Sequence, residues 1–314
     1  MKILCIGHAA YDTTIPICGF LEENKKLRID TKFECGGGPA CNAAYLLGKW
    51  GIDTCFVGTV GNDKYGNCIK KELEEVNVDT RYMRIIDGYE TTSSIIFANV
   101  ENGSRTIVSY RPTEAEKLKT LDLDFIPNII LIDGHEYEIS KQMIEKYKNS
   151  VSIMDAGRVT EDNIKLAKMV DYLVCSKEFA EEVVDTKFDG ENYAYIYGKM
   201  KEMFSNSIII TLEKEGCLYE YNEELRIMPG IRVKTLDSTG AGDIFHGAFT
   251  YGVSQNYDIE TILRLANVTA GLSVTKIGSR NSIFELEEVK RKYEELRWCN
   301  FLWVITKNRL TWLW

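Results

Sequence analysis

Residues 237–243 read Asp-Ser-Thr-Gly-Ala-Gly-Asp and place a carboxylate behind two glycines, ahead of a helical run of small and apolar residues. The presence of Gly240 and Gly242 needs an explanation, because glycine in a helix lowers its stability by about 1 kcal/mol relative to alanine. One reason would be the binding of an anion. Bare backbone N–H groups at a helix N-terminus supply such a site, since they bind a phosphate or the charge that develops on one. Asp243 would then orient a substrate hydroxyl. The plainer interpretation, an acid that only favours the positive helix end, leaves both glycines unexplained.

A second glycine-rich segment, Gly36-Gly37-Gly38, precedes a predicted helix that proline opens at position 39. Glycines let a backbone approach a ligand closely, and Asn42 offers both a hydrogen-bond donor and an acceptor, which suits the hydroxyls of a sugar. Alone this signal is weak, because glycine-rich turns before helices are common. The Walker pattern G-x-x-x-x-G-K-[ST] is absent from the sequence, so any nucleotide would need another kind of phosphate cradle.

The segments that must position these residues alternate between short apolar runs and helix-length stretches. Predicted strands are Lys2–Ile6, Thr54–Val60, Ile129–Ile132, Val151–Met154, Tyr172–Val174 and Ile208–Leu212. Predicted helices are Pro39–Trp50, Tyr65–Val76, Ser140–Tyr147, Asp162–Met169 and Tyr193–Phe204. This alternation predicts an α/β fold with a mostly parallel sheet that is covered on both faces.

Two stretches break the alternation, at about residues 12–35 and 91–110, because they are β-rich and contain no helix. We expect them to pair as a small separate sheet that forms a lid over the larger domain, which spans residues 1–297. Residues 298–314 form an aromatic tail with four of the five tryptophans and no clear helix or strand period. A partner-binding tail, a packed terminal segment, a frayed end and a sequence artefact all stay open, the last two being favoured.

Composition excludes several classes of function. The 314 residues are 45% apolar and carry 38 basic against 47 acidic side chains, a net charge of −9 without a concentrated basic patch, so no nucleic-acid partner is expected. Nine cysteines lack any C-x-x-C pair and are interpreted as reduced thiols, which predicts a cytoplasmic protein. The sequence shows neither a signal peptide nor an apolar run of about 18 residues, so no membrane association is expected.

The two glycine-rich motifs, in this order and about two hundred residues apart, resemble the two signatures of the ribokinase-like (PfkB) carbohydrate kinases. The resemblance extends from Lys2 to about Ile283. It implies transfer of the ATP γ-phosphoryl group to a sugar or nucleoside hydroxyl, on a three-layer α/β/α sandwich with a small β-sheet lid. Residues 103–108 and Asp133-Gly134-His135 are similar to the ketohexokinase and fructokinase branch, which implies a ketose such as fructose.

The resemblance also assigns roles to single residues. Asp243 matches the catalytic base, and the anion hole is matched by Gly240, Ala241 and Gly242. Positions that match sugar-contacting residues are Asp12, Gly37, Gly38, Asn42, Arg105 and Asp133. Three of these have plainer alternatives, since an acid after a strand often serves a turn and an arginine in a hairpin is often only exposed: Asp12, Asp133 and Arg105.

The nucleotide side departs from the family pattern. Residues 211–216 resemble the segment T-x-G-x-x-G, but Glu213 stands at the first glycine and brings a side chain towards the phosphates. The N-x-x-E motif that organises Mg²⁺ through water is replaced around Ser176 and Glu178, a variation shared with ketose kinases. The other positions implied by the resemblance are Thr211 and Gly216 near the nucleotide, Asn267 at the adenine and Asp237 beside a K⁺ ion that some members use.

Other functions are weighed against the sugar kinase. A nucleoside kinase belongs to the same class, and a sugar-phosphate kinase would need clustered basic side chains, for which Arg28, Arg105, Arg111 and Arg158 are candidates. A non-catalytic sugar or nucleotide sensor would explain Glu213 but not the retained Asp243. A nicotinamide oxidoreductase lacks G-x-G-x-x-G after the first strand. A homodimer through the lid is expected, because open sheet edges invite pairing.

Overall fold

The computed structural model describes residues 1–112, 118–297, 302–306 and 309–313. Its strands are β1 Ile3–Ile6, β2 Ala10–Ile17, β3 Phe33–Gly37, β4 Thr54–Val57, β5 Thr59–Gly61, β6 Arg84–Ile86, β7 Ser93–Asn99, β8 Arg105–Tyr110, β9 Ile129–Ile132, β10 Val151–Ala156, β11 Tyr172–Ser176, β12 Ser207–Thr211, β13 Gly216–Tyr221, β14 Glu224–Pro229, β15 Leu302–Thr306 and β16 Arg309–Leu313. Its helices are α1 Pro39–Lys49, α2 Lys64–Glu75, α3 Tyr137–Lys146, α4 Glu161–Ala167, α5 Lys177–Val184, α6 Tyr193–Met203, α7 Ala241–Ser254, α8 Ile259–Ser273 and α9 Leu286–Arg297.

The central sheet has the order β16-β15-β14-β13-β12-β11-β10-β9-β1-β4. The strands from β4 to β12 are parallel, and those from β12 to β16 pair antiparallel. Strands β1 and β9 are buried along their whole length, which explains their continuous apolar sequence.

Alternate strand residues feed two separate hydrophobic cores. Ile3 and Cys5 belong to the core under α1, α7 and α8, whereas Leu4 and Ile6 belong to the core under α3 to α6. Helices therefore cover both faces of the sheet, and the predicted three-layer α/β/α sandwich is confirmed.

A separate four-stranded sheet has the order β3-β2-β7-β8 and is called the lid sheet below. The lid sheet begins near the carboxyl end of β1, because β2 begins four residues after β1 ends. The small second sheet expected from the two β-rich stretches is therefore present. Residues 18–32, between β2 and β3, contain no strand.

Several elements were not predicted, including α8, α9 and β6. The antiparallel hairpin β13–β14 widens the central sheet, and α5 begins at Lys177 directly after β11. In the tail, two segments that the sequence pattern left without regular structure form β15 and β16, which extend the sheet beyond β14. No helix within the described residues is both long and apolar enough to cross a membrane.

Candidate active site

The N-terminus of α7 presents backbone amides to open space. Gly240 caps the helix with a φ of 75°, a left-handed conformation that favours glycine, and a Cβ there would lie 2.8 Å from the Ser279 side chain. A Cβ on Gly242 would meet no atom within 4 Å. The Ala241 N–H donates to the Ser238 carbonyl at 3.3 Å, whereas those of Gly242 and Asp243 find no acceptor within the described chain. These two amides at a helix N-terminus fit an anion.

Asp243 lies beside these amides in the first turn of α7. Its Oδ2 accepts a hydrogen bond from the Asn42 side-chain amide at 2.8 Å. Burial raises the pKa of Asp243 to about 6, and the nearby Asp155 carboxylate raises it further, against the hydrogen bond from Asn42. This pKa leaves the carboxylate mostly ionised at neutral pH and close to the value that proton transfer favours.

Asn42 is itself held by Arg280, a residue that sequence reasoning missed. The Arg280 Nε donates to the Asn42 Oδ1 at 3.3 Å, and Nη1 forms an ion pair of 2.6 Å with Glu72 on α2. Arg280 is only 3% exposed, so this charge is anchored inside the protein. The chain of contacts from Glu72 through Arg280 and Asn42 fixes the orientation of the Asp243 carboxylate.

The three glycines before α1 make room for the protein's own groups. A Cβ on Gly36 would lie 2.3 Å from the Arg280 guanidinium, and one on Gly37 would lie 2.0 Å from Asp12 Oδ2. Gly38 has a φ of 96°, and its Cβ would lie 2.3 Å from the His8 carbonyl oxygen. The sequence argument assigned these glycines to ligand approach, but internal packing already requires all three.

Asp12 lies on β2 of the lid sheet and is 8% exposed. Burial raises its pKa to about 6, and the Asp243 carboxylate contributes, which shows that the two acids face the same region. The structure thus brings together four of the predicted residues from distant parts of the chain: Asp12, Gly37, Asn42 and Asp243.

Asp133 follows β9 but does not offer its carboxylate to a ligand. Its Oδ2 accepts the backbone N–H groups of His8 at 2.8 Å and Ala40 at 3.1 Å. Its Oδ1 accepts the backbone N–H of His135 at 3.0 Å and lies 3.2 Å from the His135 ring. The side chain is 1% exposed. Asp133 therefore joins the turn after β1 to the start of α1, and direct sugar contact by this carboxylate is not supported.

Arg105 connects the lid sheet to the loop before α7. Its Nη1 donates to the Ser238 hydroxyl at 2.6 Å. At the tip of the same hairpin, a Cβ on Gly103 would lie 2.2 Å from the Thr235 side chain. The hairpin β7–β8 thus contacts the segment that leads into α7, two residues before Gly240.

A basic cluster lies at the carboxyl ends of the central strands. The rings of His8 and His135 stack with centroids 4.7 Å apart. Partial burial lowers the pKa of Arg111, and the charge of Arg158 lowers it further. The charges of both arginines also oppose protonation of His8 and His135, so Arg111 and Arg158 lie within electrostatic range of this histidine pair, whereas Arg105 donates to Ser238. Neither Arg111 nor Arg158 forms an ion pair with a carboxylate of the described chain.

On the predicted nucleotide side, Glu213 adopts a φ of 53°, the backbone conformation that glycine prefers. The glycine-type turn of the family pattern is therefore kept although the glycine is not. Gly216 is structural, because a Cβ there would lie 2.0 Å from the Met228 carbonyl oxygen. Asn267 donates to the carbonyl oxygens of Met228 and Pro229, so it anchors β14 from α8.

The remaining predicted positions also have structural duties. The Thr211 hydroxyl donates to the Cys175 carbonyl at 3.3 Å, which joins the ends of β12 and β11. Ser176 caps α5 by accepting the Phe179 N–H at 3.0 Å, and Glu178 stands exposed in the first turn of that helix.

Asp237 anchors the loop before α7. Its Oδ1 accepts from the backbone and hydroxyl of Thr239, and its Oδ2 accepts from the backbone of Gly278. Because both oxygens already have protein donors, the structure favours a loop anchor over a ligand for a monovalent cation.

Comparison with known proteins identifies the family of this chain. The family model for "pfkB family carbohydrate kinase" matches residues 1–285. The chain belongs to this family. It is 28% identical over 271 residues to a ribokinase of Lactococcus lactis, covering 83% of this chain and 86% of that protein. It is 26% identical over 294 residues to an ATP-dependent 6-phosphofructokinase of Thermoanaerobacterium thermosaccharolyticum, covering 83% of this chain and 88% of that protein.

The fold of this carbohydrate kinase matches that of solved family members. Arabidopsis thaliana ribokinase complexed with ribose and ATP superimposes with a TM-score of 0.79 at 20% sequence identity, covering 93% of this chain and 98% of that one. The ribokinase-like fold predicted from the two motifs is confirmed.

Proposed function

We propose that this carbohydrate kinase transfers the γ-phosphoryl group of ATP to a hydroxyl of a sugar, with Asp243 as the base. The observation that carries the proposal is the pairing of an ionisable carboxylate with free amides: Asp243 lies beside the unpartnered N–H groups of Gly242 and Asp243 itself. ATP as the donor is supported by the relatives named above, one of which is solved with ribose and ATP.

The chain's own groups suffice to align the reaction. Phosphoryl transfer passes through a loose transition state, so catalysis consists mainly of positioning and of neutralising charge on the equatorial oxygens. The amides of Gly242 and Asp243 would face those oxygens. Asn42 fixes one oxygen of the Asp243 carboxylate, which leaves the other to accept the proton of the attacking hydroxyl. Asp12, on the lid sheet, would hold a second hydroxyl of the sugar.

Mg²⁺ would enter with the nucleotide, where it neutralises phosphate charge. Within the described residues, no group of three or more His, Cys, Asp or Glu side chains is arranged to hold a metal ion. Exposed Glu178 fits a contact through water, which is the role the family resemblance implies for it.

The acceptor has two candidate classes. Residues 103–108 and 133–135 resemble the ketose branch and favour a neutral ketose such as fructose. The charges of Arg111 and Arg158 both reach His135, which favours instead a sugar that already carries an anionic group, because guanidinium groups bind phosphate and carboxylate. Neither of these two features favours a nucleoside acceptor, and a non-catalytic sensor would explain Glu213 but not the retained Asp243.

The deciding experiment measures ADP release from ATP and Mg²⁺ with matched acceptors: fructose and fructose 6-phosphate, ribose and ribose 5-phosphate, and adenosine. A sugar kinase releases ADP only when a sugar of the panel is present. A preference for the phosphates that disappears in Arg158→Gln would select the anionic class. The proposal would be contradicted if adenosine alone stimulated ADP release. It would also be contradicted if ATP bound but no acceptor of the panel stimulated ADP release.

We also expect a homodimer through the lid sheet and a cytoplasmic location. Strand β8 is exposed along its whole length and lies at an edge of the lid sheet. Three of its apolar side chains are about half exposed: Ile107 at 48%, Val108 at 57% and Tyr110 at 55%. Such an edge invites pairing with a second copy. Sedimentation of the native chain and of Val108→Asp tests this, since a monomer in both would refute it.

A further inference from the structure

His246 lies on α7 one turn after Asp243 and is 3% exposed. Its Nδ1 is 2.6 Å from the carbonyl oxygen of Gly242 and 3.2 Å from Asp155 Oδ2 at the end of β10. Its Nε2 is 3.0 Å from the carbonyl oxygen of Val174 on β11. Both ring nitrogens therefore contact backbone carbonyl oxygens in a region without solvent.

These contacts define how many protons the ring carries. A carbonyl oxygen only accepts, and a neutral imidazole has one N–H and one bare nitrogen. Either neutral tautomer of His246 would leave a lone pair facing a carbonyl oxygen, at 2.6 Å or at 3.0 Å. A protonated Asp155 does not remove this conflict, because Gly242 would still face Nδ1. In this ring orientation, only a ring with protons on both nitrogens satisfies every contact.

The carbonyl that Nδ1 contacts belongs to the peptide unit whose N–H is that of Asp243. A cation bonded to a carbonyl oxygen polarises the whole amide and makes its N–H a stronger donor. That N–H has no acceptor within the described chain and lies at the open end of α7.

We propose that Asp155 holds His246 as a buried imidazolium, and that this ring polarises the Gly242–Asp243 peptide so that its N–H binds the transferring phosphoryl group more strongly. His246 is thus a positioning residue, since it acts through the backbone and not on the substrate. The inference rests on the proposed kinase reaction for its effect on turnover, but the charge of the ring can be measured without any reaction.

The charged and titratable groups around the ring come from every neighbouring element. Asp155 on β10 is the counter-ion, and Asp243 on α7 lies within reach of the charges of both Asp155 and His246. Beyond them are Asp133 and His135 after β9, Cys175 on β11 and Arg105 on β8. Burial and the neighbouring Asp133 raise the pKa of Asp155, whereas the His246 charge lowers it. Among the described residues, the His246 ring is the basic group within ion-pair distance of Asp155.

The test combines nitrogen NMR of the histidine rings with kinetics. The chain has three histidines, so His246→Asn identifies the His246 signals in the spectrum of ¹⁵N-histidine-labelled protein. We expect both His246 ring nitrogens to carry a proton at pH 7. We also expect His246→Asn, which keeps a donor but loses the charge, to lower kcat about tenfold or more with little change in KM.

Two further variants keep the proposal falsifiable if His246→Asn folds poorly. Asp155→Asn removes the counter-ion, so the His246 signals at pH 7 should become those of a neutral ring, and kcat should fall. Thr250→Val alters a buried hydroxyl one turn further along α7 and should leave kcat unchanged. A neutral His246 ring at pH 7 in the native chain, or an undiminished kcat in a folded His246→Asn, would overturn the proposal. Absence of kinase activity with a protonated ring would refute only the proposed function.

Discussion

The buried ion pair between Arg280 and Glu72 supports a quantitative prediction for both stability and turnover. Glu72 Oε2 accepts from Arg280 Nη1 at 2.6 Å and from the Gly36 N–H at 2.9 Å. The Arg280 side chain is 2% exposed and that of Glu72 is 23% exposed. Glu72→Ala therefore leaves a guanidinium inside the protein without its counter-ion, a situation that costs about 3–5 kcal/mol.

Because Glu72 is partly open to water, we expect the lower end of this range, about 3 kcal/mol. In a chain of 314 residues such a loss lowers Tm by about 4–5 °C. Arg280→Met removes the charge together with its need for a partner, so the double variant Glu72→Ala/Arg280→Met should be more stable than Glu72→Ala alone. Arg280→Met and the double variant both lose the hydrogen bond from Arg280 to Asn42. We expect both to have a lower kcat, because Asn42 then holds the Asp243 carboxylate less firmly.

The assay is thermal and urea unfolding together with acceptor-dependent ADP release. Glu75→Ala is the matched control, since Glu75 lies on the same helix, is 61% exposed and forms only an i,i+4 pair with Lys71. It should change stability by less than about 0.5 kcal/mol. A Tm loss for Glu72→Ala no larger than that of Glu75→Ala would refute the reasoning, as would a double variant as unstable as the sum of the two single ones.

Three other predictions concern the nucleotide turn, the base and the lid. Glu213 and Glu223 have φ values of 53° and 63°, so Glu213→Gly and Glu223→Gly should each relieve strain of about 1 kcal/mol. Only Glu213→Gly should also lower the KM for ATP; an equal effect of both on KM would count against a nucleotide contact by Glu213. The pKa of Asp243, raised to about 6, predicts that kcat/KM falls as the pH drops below about 6, and a rate that stays constant down to pH 5 would exclude Asp243 as the base. The folded state holds this proton more tightly than the unfolded chain, so the stability it contributes is lost as the pH rises through 6, and Asp243→Asn should be more stable than the native chain at pH 7.5 but not at pH 4. Arg105→Ala removes the 2.6 Å contact with Ser238 and should raise the KM for the acceptor several-fold while Tm stays within about 1 °C; an unchanged KM would show that the lid contact is not used.

The elements that could be predicted from the sequence are those whose signals are local. Ile129–Ile132 was predicted with both ends correct, because a strand buried on both faces has a continuous apolar run. The start of α7 was predicted because glycine at positions 240 and 242 has a cost that a plain helix does not explain. The β13–β14 hairpin was missed because its strands are partly polar and carry no helix between them.

The site residues that could not be predicted depend on contacts between distant segments. Arg280 lies 238 positions from Asn42 in the sequence, and nothing around it indicates that its charge is buried. For Asp133 the sequence leaves sugar contact and a turn role open, because an acid after a strand has the same local sequence in both cases, and the structure shows its carboxylate bonded to backbone N–H groups. Glycines at positions 36–38 were assigned to a ligand for the same reason, although Arg280, Asp12 and His8 already occupy the space.

The most direct test of the central claim compares the native chain with Asp243→Asn in a single turnover, using the acceptor that the panel identifies. Asparagine keeps the shape and the contact with Asn42 but cannot take a proton. The account predicts that phosphoryl transfer slows by at least about a thousandfold while sugar and ATP bind with nearly unchanged Kd. Transfer at near-native rate by a folded Asp243→Asn would contradict it.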